Sequence, residues 1–281
     1  MLTREMILEE LSRFCKEDAG NYVSPDRAIT PSDAGQCMYD APIIAIGSVD
    51  DPWWQRLKEP QAIGPHFKGP TEWLPTARTV VSYFAPFTEF VRRGNEADPL
   101  EVGHGWLYAR VDGQAFLHRL NHHMEDFFRH HGVEAISPYA SDDFQHVFAA
   151  GTNPALDPAL SFTSNWSERH VAYVCGLGTF GLSKGLITKK GVAGRFGSFV
   201  VSADLPTDER PYTGLYDYCS MCGRCAKNCP AHAITLEEGK KHPPCSAYVK
   251  SMGVKYSPFF GCGKCQVNTP CERGIANPKF R

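Results

Sequence analysis

The chain has 281 residues, with 29 Lys+Arg against 31 Asp+Glu, and 42% of it is hydrophobic. That length holds one large or two smaller folded units, and the composition excludes wholesale disorder, collagen and coiled coil. The formal charge of -2 gives no global sign of a nucleic-acid binder, and no apolar run approaches the ~20 residues that cross a bilayer.

In chain order, the first predicted element is a helix over 4–16. Ile7, Leu11 and Phe14 share a face that Leu8 and Cys15 widen, and Thr3 is placed to cap it. With no apolar leader and no twin-arginine signal, the expected location is the cytoplasm. Residues 41–47 read as a buried strand, 52–76 as mostly loop and 79–84 as a second strand. A long helix is predicted over 113–131, with Asp112 as its N-cap, Phe116, Leu117, Leu120, Met124, Phe127 and Phe128 on one side, and Gly132 as its stop. Residues 157–166 read as turn-like, Val171–Val174 as a candidate strand, and 187–188 and 198–202 as short strands. Strands alternating with helices predict an α/β (α+β) domain over 1–205. The polar, proline-bearing stretch 205–211 separates it from a second domain over 206–281.

The cysteines carry the chemistry. Of 11, Cys15, Cys37 and Cys175 are scattered, while the other eight crowd into the last quarter. In a reducing compartment such density points to metal rather than disulfides. Cys219-x2-Cys222-x2-Cys225-x3-Cys229-Pro230 is the bacterial ferredoxin run for a 4Fe–4S cluster. Three thiolates two residues apart let a tight loop wrap one cluster, and the fourth points away to ligate another. The second half is Cys245, Cys262-x2-Cys265 and Cys271. Crossed ligation then assigns Cys219, Cys222, Cys225 and Cys271 to cluster 1, and Cys229, Cys245, Cys262 and Cys265 to cluster 2. Zinc also uses C-x2-C pairs, but this run suits two isolated tetrahedral ions poorly. From residue 240 onward the tail is basic, with only Glu272 opposing eight Lys and Arg. Cations that stabilise anionic clusters, or a docking patch for an acidic electron donor, are favoured there over a nucleic-acid face.

Gly176, Gly178 and Gly181 satisfy G-x-G-x-x-G, but Gly185, Gly191, Gly194 and Gly197 break the helix that a dinucleotide-binding turn must open. The glycines are read instead as bringing backbone close to a large flat ligand. His118 and His122 read as a solvated helix face rather than a zinc pair, and Cys175 as a small packing residue.

The string Ser167-Glu168-Arg169-His170 through Lys184, then Leu205-Pro206 and the double-cluster run, resembles the epoxyqueuosine reductases and the related corrinoid-dependent reductive dehalogenases. Leu74-Pro75-Thr76-Ala77-Arg78 and Gly261-Cys262-Gly263-Lys264-Cys265-Gln266 extend the likeness, which spans about 70–277. The resemblance implies a nitroreductase-like cobalamin-binding domain followed by a two-cluster ferredoxin-like domain. Electrons from a ferredoxin- or flavodoxin-like donor would pass through both clusters to cobalt, for reduction of a small-molecule or corrinoid-bound substrate. It implies catalytic roles for Glu168, Arg169 and Tyr173, with His170 a further proton donor. It also places corrinoid against Gly176, Gly178, Gly181, Lys184 and Gly185. Where the epoxyqueuosine enzymes carry an aspartate proton donor, six residues before the Glu-Arg pair, this chain has Phe162, which has no proton to give. A tRNA substrate is therefore an alternative and not the favoured one. An electron-transfer protein without corrinoid is the other alternative. No membrane association is expected.

Overall fold

A computed structural model describes residues 2–148 and 162–281; the part of the predicted turn before Phe162 lies outside the described residues. In chain order the elements are α1 (Arg4–Glu17), β1 (Ile43–Ser48), α2 (Trp53–Arg56), α3 (Pro70–Trp73), β2 (Thr79–Pro86), α4 (Glu89–Glu96), α5 (His104–His130), β3 (Ala135–Ile136), β4 (His146–Phe148), β5 (Phe162–Ser164), α6 (Glu168–Cys175), β6 (Gly178–Phe180), β7 (Leu186–Thr188) and β8 (Gly194–Val201). The last quarter adds α7 (Arg224–Lys227), β9 (Ile234–Thr235), β10 (Gly239–Lys240) and α8 (His242–Lys255).

The main sheet runs β1-β2-β8-β3, and each neighbouring pair is antiparallel. The arrangement is thus α+β. β2 is buried on both faces, and its residues alternate between two cores as strand periodicity requires. Val81, Tyr83 and Ala85 join Phe199 and Val201 of β8 against α1 and α5. Val80 and Phe84 join Val200 against α6, where Trp166 stacks on Trp54 and Phe67 with ring centroids 6.0 and 5.6 Å apart.

Two predicted elements need correction. The long helix begins at His104, not at residue 113, so Asp112 is no cap; it sits inside α5 and pairs with Arg27. Gly105 and Gly113 look like breakers, but each marks close packing. A Cβ at Gly105 would lie 2.9 Å from Val91 Cα of α4, and one at Gly113 would lie 2.8 Å from the Tyr39 hydroxyl. Burying Trp106, Leu107 and Tyr108 outweighs the ~1 kcal/mol helix cost of each glycine. Val171–Val174 is helical rather than extended. It lies in α6, which ends on Gly176 in the left-handed conformation at φ +98°.

The 206–281 segment leans on the rest of the chain at many points. Its own apolar cluster is small, centred on Leu182, Cys225, Cys229, Ala233 and Ile234. Phe259 and Val267 belong instead to the core under α5, and Tyr212, Tyr218 and Ile275 to the core under α6. Buried Lys264 donates to the carbonyls of Asn95 and Asp98 at 2.6 Å each, and Asn95 Nδ2 donates to the Cys262 carbonyl at 2.9 Å. Gly263 has φ +72°, and a Cβ there would stand 1.9 Å from the Trp106 indole. Gly263→Ala is therefore expected to cost about 2–3 kcal/mol, a drop of roughly 4–10 °C in thermal melts. An unchanged melting temperature would show that the Trp106 seat yields freely.

Candidate iron–sulfur and recess site

The cysteine thiols of the last quarter act on one another. Burial, followed by Cys219 and Cys222, pushes the Cys271 thiol up to about 11. Burial, followed by Cys265, Cys271 and Cys219, pushes Cys225 up to about 12. In the other set Cys262 is raised to about 11, first by burial; Cys265, Cys245 and Cys229 add to it, and a bond from the Lys264 N–H opposes it. Cys265 is raised by burial and by Cys245 and Cys229, against the pull of Lys240. Cys225 feels Cys265 ahead of Cys271 and Cys219, so thiols from both expected sets act on one another.

The donor chemistry fits a cluster. Thiols that raise one another are unfavourable neighbours until a cationic core turns them into ligands. A cubane spreads four thiolates over separate irons. The loops also aim main-chain N–H groups at sulfur. Ala233 N–H bonds Cys229 Sγ at 3.3 Å, and Thr269 Oγ1 lies 3.4 Å from Cys271 Sγ. Such tight wrapping needs left-handed backbone at Met221 (φ +52°) and Gly223 (φ +70°) in the first loop, and at Asn268 (φ +51°) in the second. His232, just after the first run, is left-handed as well (φ +48°). Cys222 alone of the eight is exposed; Cys225 and Cys229, one from each expected set, are buried, and the other five are half-buried.

Beside the second set lies a cationic recess. Arg169 is exposed, yet it interacts with groups from several separate segments. Its Nη1 donates to the Lys184 carbonyl at 2.5 Å. Arg195 of β8 repels it, Cys265 attracts it, and it in turn acts on Lys240 and His242. Lys240 is itself raised, against the cost of burial, by Cys265 and Cys245. Arg110 of α5, its guanidinium 4.9 Å from the Phe260 ring centroid, is lowered to about 10 by burial and by Arg195. Among the described residues none of Arg110, Arg169, Arg195, Lys184 and Lys240 forms an ion pair with a carboxylate. Arg110, Arg195 and Lys240 were not singled out as recess residues from sequence. They lie on three elements far apart in the chain, and no local motif joins them.

The remaining predicted site residues lie as follows. Glu168 Oε2 accepts from Ser198 Oγ at 2.7 Å, while its buried Oε1 has no hydrogen-bond partner among the described residues. His170 Nδ1 lies 2.7 Å from Ser167 Oγ, and burial followed by Arg169 lowers this imidazole to about 3, so it stays neutral. The Tyr173 ring is buried in the α6 core, and its hydroxyl donates to the Thr213 carbonyl at 3.4 Å. The glycine segment is the end of α6 and the β6–β7 hairpin. A Cβ at Gly178 would lie 1.9 Å from the Ile187 carbonyl, and Gly181 N–H bonds the Gly185 carbonyl at 2.7 Å. Gly178 thus brings the backbone close to its own hairpin partner. Lys184, at φ +57°, occupies the turn.

Burial raises the Glu168 carboxyl from 4.5 to about 7. The unfolded chain releases this proton near the lower value and the folded chain near the higher one, so native stability falls as pH climbs between them. Glu168→Gln removes that penalty. Relative to the native protein it is expected to gain about 1–2 kcal/mol between pH 5 and pH 8 in denaturant melts. A difference that is flat with pH would contradict the burial of this acid.

The sequence of residues 215–235 matches the 4Fe-4S binding domain family. No curated protein matches the chain by sequence. Among solved structures, the catabolic reductive dehalogenase NpRdhA is similar at TM-score 0.51 and 16% identity, over 84% of this chain and 30% of that one. The same dehalogenase in complex with 3-bromo-4-hydroxybenzoic acid gives 0.50 and 15%, over 98% of this chain and 37% of that one. An epoxyqueuosine reductase crystallised with a tRNA-Tyr stem loop gives 0.49 and 17%, over 85% of this chain and 64% of that one. The chain spans about a third of the dehalogenase and just under two thirds of the reductase. It has the fold of these dehalogenases, with a 4Fe–4S binding segment set into its last quarter.

Proposed function

We propose that the chain is a cytoplasmic iron–sulfur reductase carrying two 4Fe–4S clusters and a corrinoid. In this reading residues 206–281 are the double-cluster module and 1–205 a nitroreductase-like corrinoid and substrate domain. What supports it is the mutual influence of the cysteine thiols, with Cys265 also acting on Arg169 and Lys240 of the cationic recess. Cys219, Cys222, Cys225 and Cys271 hold cluster 1, and Cys229, Cys245, Cys262 and Cys265 hold cluster 2. Cubane clusters supply one-electron transfer, and a corrinoid supplies a strongly reducing metal centre.

The chain's own residues do the rest. Lys240 and Arg169 offset the negative charge of cluster 2, which favours its reduced form. A group bearing amides and a phosphate suits the recess, where Arg169 and the 181–185 turn would hold it. Arg110 and Arg195 add positive charge that no carboxylate neutralises among the described residues, which suits an anionic portion of cofactor or substrate. The raised Glu168 carboxyl is the nearby group able to handle a proton, whereas His170, lowered to about 3, stays neutral and is not the proton donor expected from sequence.

Reconstitution under anaerobic conditions tests the cluster reading. The native chain is expected to hold about eight irons and eight sulfides, and Cys271→Ala or Cys265→Ala about four. Zinc in place of iron, or iron counts that do not respond to either substitution, would end it. Added cobalamin is expected to co-elute with the protein and to shift in its visible spectrum; no uptake would leave an electron-transfer protein without corrinoid.

A further inference from the structure

We infer that the surface around Cys222 is the docking face for an acidic one-electron donor protein, so that electrons enter at cluster 1 and leave at cluster 2 toward the recess. This rests on the cluster reading above and goes beyond it by assigning the face and the kind of partner.

Three observations converge. Cys222 is the one exposed member of the eight cysteines, whereas Cys265 of the second set acts on Lys240 and Arg169. Large apolar side chains open to solvent occur in the same segment: Met221 at 42%, next to Cys222, and Leu236 at 58%, with Leu215 at 44% and Tyr216 at 45% shortly before the first cysteine. Leu236 is tied to the ligand loop, since its methyl carbons lie 3.7–3.9 Å from where a Gly223 Cβ would stand. An exposed apolar patch beside a redox centre fits a transient protein contact.

The third observation is charge. Two hollows that share Pro270 run from Cys222 to the C-terminal Arg281. Arg224 and Arg273 line the first, and Lys189 and Arg281 the second. The carboxylates there are Glu96 and Glu272, and Glu272 is drawn inward by Arg92 at 3.2 Å and by the Asn268 N–H at 2.7 Å. The net sign is positive, so the complementary partner presents acidic groups around its own redox centre. The apolar middle of the patch favours a protein over a nucleic acid. In the step itself one electron leaves the reduced donor and enters the oxidised cluster; no bond breaks and no proton moves.

The test uses the full chain with both clusters reconstituted, without corrinoid or substrate, and a reduced plant-type [2Fe–2S] ferredoxin as the acidic donor. Cluster bleaching is followed by stopped flow. The second-order rate is expected to fall about tenfold as salt rises from roughly 20 to 300 mM. The Lys189→Glu/Arg281→Glu double variant, which leaves every ligand loop untouched, is expected to be about tenfold slower at low salt and near native at high salt. Leu236→Asp is expected to be slower at both. Reduction by photoreduced deazaflavin, an uncharged small molecule, is expected to be the same for all; a variant that fails this control is set aside, and the other decides. A salt-independent rate that neither variant alters overturns the assignment. So does an RNA stem loop that binds through Lys189 and Arg281 while donor rates stay unchanged. Missing iron, seen before any donor is added, would overturn the cluster reading and this inference together, whereas failure to take up cobalamin leaves this test intact.

Discussion

In the proposed two-cluster reading, crossed ligation is the constraint on which the rest depends. Cys219, Cys222 and Cys225 would be completed by Cys271, 46 residues further on, and Cys245, Cys262 and Cys265 by Cys229, which precedes all three. Neither loop can complete a set alone, so the two halves of the last quarter must be held in fixed register. A segment of this size buries too little apolar surface to do so unaided. Its support comes from outside. Trp106 and the end of α4 seat the Cys262–Cys265 loop, and the β7–β8 connection receives the Cys271 strand through Val192 N–H to the Cys271 carbonyl at 2.9 Å. The long helix α5 is therefore a platform as much as a core element.

That platform gives the site a direction. Cys222 is open to solvent, and Cys265 acts on a recess where Arg169, Lys240, Arg195 and Arg110 gather. Part of the basic tail that stands out in the sequence is spent on structure. Lys264 is buried on two carbonyls, Lys255 pairs with Glu101 at 2.5 Å, and Lys241 with Glu238 at 2.7 Å. What stays uncompensated is divided between the recess and the outer face, with opposite consequences: inside it offsets bound negative charge, and outside it is available to a partner.

Much of this was legible in the sequence because the relevant signals are local. Cysteine spacing is a short-range pattern, and it marks the 4Fe–4S binding segment that the family match covers over 215–235. The helix α1, with Thr3 accepting from Met6 N–H at 3.3 Å, and the strands β1, β2 and β8 follow period and cap rules. Misreadings arose where glycine had a tertiary reason. The helix α5 was expected to start at 113 rather than at 104, and within it Gly105 and Gly113 meet neighbouring backbone and the Tyr39 hydroxyl that demand a missing side chain. The glycines from 176 to 185 suggested a ligand cradle, but two of them serve a helix end and a hairpin. The cationic recess was invisible because its members lie on α5, α6, β8 and β10 and meet only after folding.

Left-handed backbone at Met221, His232 and Asn268 has a further consequence. Residues with a Cβ hold that conformation at a cost of about 1 kcal/mol apiece; Met221 and Asn268 lie between cysteines, and His232 just after the first run. An intact inorganic core offsets this local tension; once it is stripped, the wraps have reason to spring open while the antiparallel sheet stays whole. Air damage to this protein should then begin as selective protease nicking in its last quarter, well before the remainder melts.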